Sequence, residues 1–124
     1  MLLVLLTLLI IPRPAPVRPA DVSGAWHVDG YFDVDHNVRV DLTCTFKQDD
    51  QKLTGSCTGR KDGASTVTVS GTVKETKVDW TFDFDSSGTK FTMTVTGTLD
   101  EAGTVMKGRL EAAGQDGPFT ATRE

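Results

Sequence analysis

Residues 77–99 read KVDWTFDFDSSGTKFTMTVTGTL, and the reading of this stretch decides the fold. Val78, Trp80, Phe82 and Phe84 fall at every second position, with Asp79, Thr81 and Asp83 between them. Beyond Asp85-Ser86-Ser87-Gly88 the alternation resumes, with Phe91, Met93 and Val95 set against Thr92, Thr94 and Thr96. A period of two puts one set of side chains on one face of a pleated strand, which no helical repeat does. Asp, Ser and Gly are turn formers, so the stretch reads as two antiparallel strands and a short loop.

Working outward, the same pattern predicts eight strands at roughly 25–34, 38–47, 52–59, 65–73, 77–85, 90–99, 105–112 and 118–123. Turn chemistry separates them at Asp35-His36-Asn37, Asp49-Asp50-Gln51, Lys61-Asp62-Gly63, Asp100-Glu101-Ala102-Gly103 and Gln115-Asp116-Gly117-Pro118. Parity sends Trp26, Val28, Phe32, Val34, Val38, Val40, Leu42, Phe46, Val67, Val69 and Val73 inward, together with Met106, Leu110 and Phe119. Arg123 is the inward polar group in this scheme, and mostly Asp, Lys, Thr and Arg face outward. Short consecutive hairpins make a meander, and eight such strands can close into an all-β, antiparallel up-and-down barrel. The start of the first strand and the end of the last then share one pole, where Trp26 and Arg123 would meet. A closed sheet has no edge to template association, so a monomer is expected.

Before the first strand, Leu2 to Ile11 is apolar except for Thr7 and is followed by Pro12, Pro14, Pro16 and Pro19. The run is too short to span a bilayer, which needs roughly 20 residues, and it reads as a secretory signal core. Residues 1–20 are therefore expected to be a signal-like segment with a Pro-rich linker, and 21–124 one barrel domain of secreted or periplasmic location. Loss of Arg13 and Arg18 with that segment takes the formal charge from −4 to −6. An acidic domain disfavours nucleic acid and anionic membranes as partners.

Cys44 and Cys57 are placed by counting. A two-residue turn at Asp50-Gln51 pairs positions that sum to 101, which sets Cys44 opposite Cys57 with both sulfurs inward. The position is a non-hydrogen-bonded pair, where side chains approach closest, and in an exported chain a disulfide follows. The same counting puts Gly71 opposite Trp80, Gly97 opposite Gly108, and Ala121 beside Gly108. This layer of small residues either makes room for two indoles and lets the sheet bend, or lines a cavity at the Trp26 pole.

The sequence Gly24-Ala25-Trp26 on the first strand, with an inward Arg123 on the last, resembles the signature of the calycins, the lipocalin and avidin class. The resemblance runs over residues 22–124 and is also close to small secreted bacterial lipocalin-like domains. It implies that Arg123 packs over the Trp26 ring and ties off the barrel base, and that a small apolar ligand binds at the other end. There Phe32, Val38, Phe84, Phe91 and Phe119 would line the mouth. The chain lacks the long first mouth loop and the C-terminal helix of larger lipocalins. Two alternatives stay open: a protein-binding barrel, like small periplasmic protease inhibitors that use an extended N-terminal segment, and a purely structural envelope domain.

The residues offer little catalytic chemistry. His27 faces outward and His36 sits in a turn, neither beside a Cys or Ser nucleophile, so both read as isolated surface residues. Asp29, Asp33, Asp35, Asp79, Asp83 and Asp85 read as a solvated face. Asp83-Phe84-Asp85-Ser86-Ser87-Gly88 begins like a calcium loop but has Thr94 at the twelfth position, and Asp33-Val34-Asp35-His36-Asn37 lacks the glycine. No catalytic residue, metal or cofactor is expected.

Overall fold

The computed structural model describes residues 19–32, 38–59, 66–86 and 88–124. Residues 1–18, 33–37, 60–65 and 87 lie outside the described residues, and with them the expected inward Val34 and the expected turns at Asp35-His36-Asn37 and Lys61-Asp62-Gly63. The strands are β1 (Gly24–Phe32), β2 (Val38–Asp49), β3 (Lys52–Gly59), β4 (Thr66–Lys74), β5 (Lys77–Ser86), β6 (Thr89–Leu99), β7 (Val105–Ala112) and β8 (Gln115–Arg123). They pair antiparallel in sequence order, and β8 returns to β1, which closes an eight-stranded up-and-down barrel. Among the described residues no helix is long and apolar enough to cross a membrane.

The expected registers of the first hairpins hold. Asp49 pairs with Lys52 and Cys44 with Cys57, and the two cysteines form a disulfide across a Cα separation of 4.0 Å. Gly71 stands opposite Trp80 and Gly97 opposite Gly108.

The last hairpin differs. Its turn is Ala113-Gly114, between the paired Ala112 and Gln115, and not the Gln115–Pro118 cluster that the sequence suggested. Both turn residues are left-handed, with φ of 52° and 78°. A two-residue turn of this hand matches the twist of the strands it joins. Pro118 lies in β8 just outside the residues paired with β1, where its missing N–H removes no bond between those strands. The partner of Gly108 moves by two residues, from the expected Ala121 to Phe119, so the side chains of β8 keep their faces. The partners change, however: Gly108 faces Phe119, and Ala121 faces Met106.

The core fills the interior from Trp26, Val28, Cys44, Phe46, Leu53 and Cys57 across to Val95, Met106, Leu110 and Phe119. A Cβ on Gly71 would run into Asp79 O of β5, and one on Gly108 into Thr96 O of β6. These glycines therefore let neighbouring backbones approach, which supports a bend of the sheet instead of a cavity at this level. Gly97 leaves room for side chains instead, since Met106 and the Phe119 ring already occupy the space beside it.

Candidate functional site

The two ends of the barrel are built differently. At the base, Trp26 is fully buried and pairs with Arg123 across the β1–β8 ladder. The Arg123 Cζ lies 4.5 Å from the ring centroid, so the guanidinium covers the indole. Its nitrogens also donate to three backbone carbonyls: Ser23 O at 2.7 Å, Asp21 O at 2.8 Å and Gly103 O at 3.1 Å. Arg123 thus locks together the chain before β1, the β6–β7 connection and β8. Gly24 makes the entrance to β1 with φ of 112°, a conformation that a side chain strongly disfavours. That is the physical content of the glycine two residues before the tryptophan.

The segment 19–23 crosses the base as a strap. Val22 is fully buried, and its carbonyl accepts the Trp26 Nε1 proton at 2.9 Å. Gln48 clamps the strap: its Oε1 accepts from Val22 N, and its Nε2 donates to Ala20 O and Asp50 O. Ala20 N donates to Glu75 O at 2.8 Å. Asp21 accepts from Ser23 N at 2.9 Å, and this bond, aided by the Ser23 hydroxyl and Arg123, holds its carboxyl below the usual range. The sequence reading missed Gln48 because it ended the second strand at 47. Parity continued by one residue would have shown a polar group sharing the inward face of Cys44 and Phe46.

At the opposite end burial fades. Phe82 is 8% exposed, while Phe84 and Phe91 are half-buried and face each other with ring centroids 5.7 Å apart. Phe82 and Phe84 stand 6.2 Å apart, so an aromatic track runs from the interior toward this end. Phe119 is not beside them: it is 3% exposed, with its ring 5.9 Å from Trp80. The backbones of Phe32 and Val38 form the last pair of the β1–β2 ladder, and their side chains lie outside the described part.

The outer face corrects the reading of His27 as an isolated surface residue. Its Nε2 lies 2.7 Å from Asp41 Oδ1, with both side chains less than a third exposed. The diagonal across β1 and β2 brings them together, because parity sorts faces without specifying which long side chains meet. Beside them Arg39 donates to both oxygens of Asp29 at 3.2 Å, which raises the arginine above its usual value. Asp83 accepts the Thr92 hydroxyl at 2.7 Å, with Lys90 Nζ 3.9 Å away.

The closed eight-stranded barrel is consistent with a calycin-like fold. In comparisons with known proteins the chain matches no family model and no curated protein.

Proposed function

We propose that this protein is an exported, non-catalytic barrel that carries a small apolar ligand at the end opposite the Trp26–Arg123 seal. The observation that carries this reading is the asymmetry of the ends. One is closed by Val22, Trp26, Arg123 and the clamped strap, and at the other the half-buried Phe84 and Phe91 present an apolar surface. An apolar, less buried end of a small barrel is where such barrels take ligands. The Cys44–Cys57 disulfide supports an oxidising compartment.

The inhibitor-like alternative uses an extended N-terminal arm. That arm would be the Pro-rich stretch before Asp21, nearly all of which lies outside the described residues, and a mature N-terminus at Asp21 or later would disfavour this alternative. Titration with an apolar fluorophore tests the proposal. Saturable binding is expected, and Phe84→Trp should fill the mouth and abolish it while the far-UV spectrum stays unchanged. Native protein that binds no fluorophore would end the carrier reading and leave a structural barrel.

A further inference from the structure

The strap 19–23 belongs to no strand, yet the base of the barrel depends on it. Val22 is fully buried in the core, and its carbonyl accepts the Trp26 indole proton at 2.9 Å. Arg123 donates to Asp21 O and Ser23 O, while Gln48 binds Val22 N and Ala20 O. Ala20 N donates to Glu75 O in the β4–β5 turn at 2.8 Å, and Pro19 before it has no N–H to give. Loss of residues 20–22 would open a void where Val22 stood and leave the Trp26 indole without its acceptor.

We infer that the protein matures by hydrolysis of one peptide bond between Ile11 and Ala20, so that residues 20–124 are kept whole. This rests on the export reading above and adds its processing site. In that step water adds across the bond: the apolar leader leaves with a new carboxylate, and the retained chain gains an α-amino group. Two constraints bound the cut. An endopeptidase takes its substrate as an extended strand with free backbone groups, and from Ala20 onward those groups are committed to Glu75, Gln48, Arg123 and Trp26. The apolar run Leu2–Ile11, for its part, finds no cover on the barrel. Pro19 lines a groove at the base with Asp21, Ser23, Gln48 and Asp50, polar side chains at the end opposite Phe84 and Phe91. Among the described residues Tyr31 is the exposed large hydrophobic, too little surface to shield such a run. The mature chain then starts upstream of Asp21, the domain start expected from the sequence.

The test is the intact mass of the protein exported when the full-length chain is produced in a secreting bacterial host. A first residue between Pro12 and Ala20 is expected. A first residue at Asp21 or beyond, or an exported chain still starting at Met1, would overturn the inference. Full-length chain that never leaves the cell would instead remove the export reading. Limited proteolysis of the exported protein should trim residues before Ala20 and stop there, and cleavage within 20–23 of the folded protein would also overturn it. Chains started at Ala20 and at Ser23 separate a need of the barrel from a preference of the peptidase. The first should match the exported protein in denaturant midpoint. In the second the midpoint should fall, and the Trp26 indole proton should exchange roughly tenfold faster, the worth of its lost bond. A Ser23 chain that fails to fold beside a folded Ala20 chain supports the inference equally. Equal midpoints and an unchanged Trp26 indole would show that the base does not need the strap and would overturn it.

Discussion

Arg123 stands directly opposite Trp26 in the ladder that closes the barrel, with its guanidinium carbon 4.5 Å from the indole centroid and its nitrogens on three carbonyls. The contact joins the first and last strands of the barrel. Arg123→Ala removes the ring contact and the charge-assisted bonds together, and stability should fall by about 2–4 kcal/mol. Arg123→Lys keeps the charge without the planar fork and should fall between. Denaturant unfolding measures both. A double-mutant cycle with Trp26→Phe should show coupling, and additive effects would mean that the ring contact contributes nothing.

The disulfide joins two fully buried cysteines 13 positions apart in sequence. Closing a loop of about this length contributes roughly 3 kcal/mol in the chain-entropy model. The reduced protein should therefore unfold at a clearly lower denaturant concentration than the oxidised one. Identical midpoints would show that the short β2–β3 hairpin is already closed in the unfolded chain.

Gln48 holds the strap through Val22 N, Ala20 O and Asp50 O. Gln48→Ala should cost about 1–3 kcal/mol by leaving these groups unpaired. It should also open residues 19–23 to limited proteolysis while the barrel stays intact. Gln48→Glu replaces the donating nitrogen by an oxygen facing two carbonyls and should be at least as harmful. A strap equally protected in all three proteins would show that Val22 and the bonds to Arg123 and Glu75 suffice to anchor it.

Gly97 and Gly108 face each other, yet their replacement by alanine should differ. At Gly97 the new methyl meets the Met106 side chain at 2.8 Å and the Phe119 ring at 2.9 Å, groups that can shift, so overpacking should cost about 1–3 kcal/mol. At Gly108 it meets the Thr96 carbonyl of the neighbouring strand, which cannot shift without breaking the ladder. Gly108→Ala should be the more destabilising, as thermal unfolding of the two variants would show.

Asp100 accepts from Val105 N at 3.1 Å and Thr104 N at 2.9 Å, bonds that hold its carboxyl below the usual carboxylate range. A carboxylate depressed in the folded state stabilises above its unfolded pKa of about 3.9 and loses that contribution as pH falls through the lower folded value. Stability measured from pH about 5 downward should fall less steeply in Asp100→Asn, which cannot ionise. Equal slopes would place the acid sensitivity elsewhere, with Asp21 next to examine.

The alternation around Trp80 and Phe91, the turn at Asp50-Gln51 and the pairing of Cys44 with Cys57 were legible because a strand has a period of two and a tight turn sets register by counting. Closure was legible for a related reason: an even number of antiparallel strands returns Arg123 to the pole of Trp26. The last hairpin was misplaced because Asp116-Gly117-Pro118 has turn chemistry, while Ala113-Gly114 takes the left-handed conformations that the turn requires. Local propensity at such a site is overridden by the partners that β7 and β1 offer to β8. The sequence by itself determined which face each described strand residue takes, since that depends only on neighbours along the strand. The clamp of Gln48 on the strap, the pairing of His27 with Asp41 and the withdrawal of Phe119 to Trp80 were decided by the tertiary structure alone. They depend on where side chains reach across a curved sheet, and that geometry exists only once the barrel has closed.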